Sequence, residues 1–100
     1  MQAAICTSFD YSIPFDRVIP LAREAGFRVV MLGASAAHSG YATAAGRAAV
    51  RRLLAANGIT VDSVHAPFPE GDRLFSVNEE ERQESLRLCR VAAEIGRAHV

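Results

Sequence analysis

An α/β fold with a parallel sheet is the architecture this sequence predicts, and three observations carry that expectation. Short apolar runs without helical spacing alternate with longer stretches whose apolar residues recur every three or four positions. Each periodic stretch closes on a glycine, at Gly26, Asn57-Gly58 and Gly96, and glycine suits the left-handed residue that follows a helix. The resulting order, three β/α units and the start of a fourth strand, is that of parallel strands joined by right-handed crossovers. A doubly wound sheet and a (β/α)8 barrel both satisfy this order. A barrel takes about 250 residues to close, and this chain has 100.

The first strand is expected over residues 3–9 (AAICTSF), an apolar run suited to burial on both faces. Asp10, Tyr11, Ser12 and Pro14 then punctuate the chain. Phe15, Val18, Ile19, Ala22 and Ala25 recur at helical spacing up to Gly26. Pro20 sits awkwardly in this helix, because an interior proline costs about 3 kcal/mol; the helix either begins late or kinks there. The second strand is residues 27–32 (FRVVML), followed by a polar loop over 33–41 that contains His38. A second helix runs over 43–56, with Val50, Leu53 and Leu54 opposite Arg47, Arg51 and Arg52. Residues 59–66 (ITVDSVHA) form the third strand, and Pro67, Pro69 and Gly71 keep residues 67–75 irregular. The third long helix has two overlapping start signals, Ser76 with Glu79 and Asn78 with Glu81. Its apolar stripe is Leu88, Val91, Ala92 and Ile95, and Gly96 ends it. Residues 97–100 (RAHV) read as the opening of a fourth strand.

Eleven basic and eleven acidic residues cancel, so no field of one sign concentrates the chain on nucleic acid or a membrane surface. All the basic residues are arginine, which excludes a catalytic lysine. Cys6 and Cys89 are far apart and lack zinc-ligand spacing, and they read as buried free thiols. No stretch approaches the roughly 20 apolar residues of a membrane span, and the N-terminus has no basic region ahead of an apolar run; a cytoplasmic location is the expectation. No GxGxxG, Walker loop, Ser-His-Asp set or HExxH motif is present.

Three segments, AREAGFRVVML (22–32), SVHAPFPEGDRLFS (63–76) and ESLRLCRVAAEIGRAHV (84–100), together resemble the xylose isomerase-like barrel family, which includes sugar-phosphate isomerases and epimerases and, more distantly, endonuclease IV. The resemblance implies that the chain, 1–100, is the N-terminal segment of a single (β/α)8 TIM barrel, roughly 40% of one by length. It implies a metal-dependent isomerase or epimerase that moves a proton between adjacent carbons of a sugar or sugar phosphate through an enediolate. The implied cofactor is a divalent cation, Mn, Mg, Co or Zn, whose carboxylate ligands and catalytic residues belong to later strands. One departure stands out: the Glu usual near the end of strand two is Met31 here.

His65, at the C-terminal end of strand three, is the leading candidate for binding a substrate oxygen or a metal, because barrel enzymes assemble their sites on that face. A histidine hydrogen-bonded to loop backbone is the plainer alternative. His38 shares that face and is expected either to approach substrate or to be an exposed loop residue. Phe9 and Phe68 are candidates for apolar pocket walls or for core packing. Asp10 and Asp72 read first as turn residues, Glu79, Glu80 and Glu81 as helix-start charges, and His99 as structural. Two further functions stay open: an endonuclease IV-like phosphodiesterase, disfavoured by the neutral charge, and a non-catalytic fragment that needs a partner chain. Open sheet edges point to self-association in either case.

Overall fold

The computed structural model describes residues 2–97. Three strands, β1 (Ala4–Cys6), β2 (Val29–Leu32) and β3 (Thr60–Val64), form one parallel sheet in the order β1-β2-β3. A 3-10 turn (Thr7–Phe9) follows β1. The helices are α1 (Phe15–Glu24), a single turn α2 (Ala36–Ser39), α3 (Ala44–Ala56) and α4 (Glu79–Arg97). No helix among the described residues is long and apolar enough to cross a membrane.

Alternation along the strands divides the sheet into a covered and a bare face. Val30 and Leu32 of β2 are fully buried, and Ile5, Val61 and Val64 pack against the same cluster. That cluster takes Phe15, Ile19 and Ala22 from α1, Val50 and Leu54 from α3, and Ala92 and Ile95 from α4. The three long helices therefore cover one face together. On the other face stand Cys6 and Met31, partly exposed, and Thr60, Asp62 and Ser63, exposed. The pairing of β2 with β3 steps at this point, from Val30↔Val61 to Met31↔Ser63. Asp62 is thus the extra residue of a bulge, which is why Val61 and Val64, three positions apart, both reach the core.

The first helix begins at Phe15, so it does not begin late; Pro20 is accepted inside it. The lost hydrogen bond at Pro20 is offset by burying Phe15, Val18, Ile19 and Ala22 on its inner side. Gly26 (φ 97°) and Gly58 (φ 63°) end α1 and α3 in the left-handed conformation, as their positions in the sequence suggest. Of the two start signals for α4, the second operates: Asn78 Oδ1 accepts the Glu81 N–H at 3.1 Å. Ser76 instead donates its hydroxyl to Glu81 Oε2 at 2.6 Å. Helix α4 runs through Gly96 to Arg97, which replaces the expected stop at Gly96 and the strand start at Arg97. The rest of the expected fourth strand, with His99, lies outside the described residues.

Two local features differ from the expectation for physical reasons. The first strand is three residues long instead of seven, because Thr7 is buried and its Oγ1 accepts the Gly33 N–H at 2.9 Å, which turns the chain out of the ladder. Cys6 and Cys89 are free but only partly buried, Cys6 because it stands on the bare face of the sheet.

Tyr41 is wholly buried, yet its hydroxyl finds no partner among the described residues. A buried unsatisfied hydroxyl costs about 1–3 kcal/mol, so Tyr41→Phe is expected to raise stability by about 1 kcal/mol in urea denaturation. Burial is also the main cause that pushes the Tyr41 phenol above its usual range. Its protonated form is favoured by folding, so the contribution is present at neutral pH and lost as pH rises through the raised value. At the acid end, Asp10 is held below the usual carboxylate range by hydrogen bonds from Ser12, and Glu84 by the guanidinium of Arg87. Both contribute stability above their ordinary values of 3.8 and 4.5 and lose it as pH falls through the depressed ones. Asp10→Asn combined with Glu84→Gln should therefore flatten the acid limb of a thermal-stability profile below about pH 4.

Candidate functional site

The C-terminal ends of the three strands meet at an open concavity of about 420 Å³ on the bare face of the sheet. Cys6 comes to it from β1 and Met31 from β2, and the two are register partners on neighbouring strands. Ser8 and Tyr11 enter from the loop after β1. Gly33 and Ala34 follow β2, and His65 and Phe68 follow β3.

His65 is fixed at both ends of its backbone and ring. Its N–H donates to the Leu32 carbonyl at 2.9 Å, extending the ladder one residue beyond β3. Its Nδ1 lies 2.7 Å from the Ala66 carbonyl; a carbonyl only accepts, so Nδ1 carries the hydrogen, and in the neutral ring Nε2 holds the lone pair. The ring is exposed and also borders a smaller concavity of about 90 Å³ shared with Phe68 and Asp72. The plainer expectation for His65, a hydrogen bond to loop backbone, thus holds together with an open second nitrogen.

The other candidates divide. Phe68 stands beside His65 at 60% exposure, a wall and not a core residue. Phe9 is half exposed and lies outside the concavity. His38 belongs to another place: its Nε2 donates to the Ile13 carbonyl at 2.8 Å, its ring meets Tyr11 and Phe15 edge-on, and it borders a separate hollow between α1 and α3. The structure therefore brings His65 and Phe68 together and sets His38 and Phe9 apart from them. Asp10 closes a turn on Ser12, as a turn residue should.

Sequence reasoning missed Tyr11, Ser8 and Cys6. Tyr11 reads as turn punctuation, yet its hydroxyl accepts the Ser35 N–H at 3.3 Å and comes within 2.6 Å of where a side chain at Gly33 would begin. Gly33 thus permits the close approach of the loops after β1 and β2. The loop that carries Phe68 is tied to α4 by Ser85, wholly buried in the helix stripe. Its Oγ accepts the Arg73 N–H at 3.0 Å and donates to the Glu70 carbonyl at 3.3 Å.

The lining offers one imidazole, one thiol, one thioether and two hydroxyls, and no carboxylate. Met31 occupies the place where the resemblance expects a Glu and faces the concavity without a proton acceptor. Among the described residues no group of three His, Cys, Asp or Glu side chains converges. This donor set holds no carboxylate for a hard divalent cation, whose ligands the resemblance assigns to later strands. What the arrangement can do is accept or donate hydrogen bonds to a polar ligand and pack an aromatic face against it. The chain matches no protein-family model, no curated protein and no solved structure.

Proposed function

We propose that the chain is one sector of a (β/α)8 barrel of the xylose isomerase-like kind, and that its concavity forms part of a sugar or sugar-phosphate pocket of an isomerase or epimerase. The architecture is supported by the consecutive strand order and by the shared face of α1, α3 and α4. A right-handed crossover couples the face a helix occupies to the direction in which the next strand is laid. A doubly wound sheet reverses direction by moving later helices to the opposite face. Here α4 packs with α1 and α3, so the winding keeps one direction, as a barrel requires.

The observation that carries the functional reading is His65, presented at the C-terminal strand ends with Nε2 open beside the exposed Phe68. Nε2 accepts a hydrogen bond from a sugar hydroxyl, the hydroxyls of Ser8 and Tyr11 serve further oxygens, and the Phe68 ring packs against the apolar C–H face of the sugar. Moving a proton between adjacent carbons needs positioned acid and base groups on both sides of the reacting carbons. With no carboxylate in the lining, the contribution of this chain is binding and orientation of substrate.

The test is a titration of the chain with aldoses, ketoses and their phosphates, followed by NMR of the His65 and Phe68 rings. A saturable shift of both is expected, with binding weakened about tenfold, or about 1.4 kcal/mol, in His65→Asn. Absence of any shift across the panel would overturn the reading.

A further inference from the structure

Beyond the sugar reading, and from the sulfur donors that reading does not use, we infer that Cys6, Met31 and His65 form a binding site for a soft monovalent metal ion of the copper(I) class, which would compete with a sugar for His65 Nε2. Three placements carry this. Cys6 and Met31 are direct register partners on β1 and β2, both on the bare face, and strand neighbours lie about 4.8 Å apart. His65 borders the same concavity from β3, two residues beyond the partner of Met31, and its Nδ1–H is engaged by the Ala66 carbonyl. That outer hydrogen bond is the usual way a ligating imidazole is fixed with Nε2 toward the metal.

The chemistry of the donors selects the ion. Thiolate and thioether are soft ligands that suit Cu(I), whereas Mg, Ca and Mn favour oxygen. The site has no carboxylate, so neither a hard cation nor a proton-shuttling carboxylate competes for the position of Met31. The methionine side chain has three rotatable bonds and can adjust its sulfur between the other two donors. Ser8 Oγ, 2.9 Å from Cys6 Sγ, is placed to steady the sulfur. Binding replaces the thiol proton of Cys6 by the metal: the S–H bond breaks, the S–Cu bond forms, and one proton is released to solvent with no change of oxidation state.

The reduced chain is titrated with Cu(I) under anaerobic conditions against a chromogenic Cu(I) chelator. One equivalent is expected to bind, with affinity at least tenfold lower in each of Cys6→Ser, Met31→Leu and His65→Asn and unchanged in Cys89→Ser. Circular dichroism and thermal unfolding establish that each variant is folded. As a measurement that needs no variant, Ag(I) added to the wild-type chain should shift the Met31 methyl and His65 ring resonances together. Failure to bind one equivalent would overturn the site, as would equal loss in Cys89→Ser, full affinity in Met31→Leu and His65→Asn, or a silent Met31 methyl. None of these outcomes bears on sugar binding, which is read separately without metal.

Discussion

Gly46→Ala is expected to destabilise the protein by about 2 kcal/mol, whereas Gly96→Ala should stabilise it by about 0.5–1 kcal/mol. Both glycines are inside helices, where alanine is ordinarily the better residue by nearly 1 kcal/mol. Gly96 shows that ordinary case, because a methyl there meets nothing within 4 Å. At Gly46 the methyl carbon would stand 1.7 Å from the Gly40 carbonyl oxygen and 2.7 Å from its carbon. Both are backbone atoms, so the loop ending α2 or the first turn of α3 must move. The Thr43 hydroxyl that caps α3 by accepting the Gly46 N–H at 3.0 Å moves with it. Urea denaturation of the two variants gives the result directly: a Gly46→Ala protein as stable as wild type would mean that the contact between Gly40 and α3 is not held in solution.

Leu32→Ala should cost about 3 kcal/mol, while the neighbouring Met31→Ala should cost about 1 kcal/mol or less. Leu32 is wholly buried beneath the three helices, and Met31 is partly exposed on the bare face. A small domain holds only about 5–15 kcal/mol in all, so the first variant is expected to approach the unfolding threshold at room temperature. Equal losses at the two positions would indicate that something covers both faces of the sheet in solution, and would remove the physical basis for reading the Met31 face as a site.

Much of the fold is legible in the sequence, because the long helices carry strong periodic stripes and explicit stops. Phe15, Val18, Ile19 and Ala22 in α1, and Val50 and Leu54 in α3, are buried as their spacing predicts. In α4 the buried side begins with a residue that periodicity discounts: Ser85 is buried one turn ahead of the apolar positions, and it ties down the loop after β3. The shortened first strand was not legible, since the cause is the Thr7 to Gly33 hydrogen bond across 26 residues, and local propensity carries no trace of it. The turn α2 was hidden by its length; its Ser35 cap, accepting the His38 N–H at 3.2 Å, and its Gly40 stop are visible only in retrospect. Within the site, His65 and Phe68 follow from their place at a strand end. His38 separates from them because the Ile13 carbonyl holds its ring, a partner 25 positions away.

The bulge at Asp62 decides the parity of everything after it on the third strand. Strict alternation from Val61 would send Ser63 and then His65 toward the helices and leave Val64 outside. The single extra residue reverses that count, so Val64 enters the core and the imidazole emerges on the side of Cys6 and Met31. Deleting Asp62 would only restore regular alternation with the same faces; it is a ladder that kept Asp62 in register that would exchange inside for outside, with an imidazole among leucines and a valine at the mouth of the concavity. How one extra residue is accommodated in the ladder thus sets whether this strand ends in a site or in a packing defect.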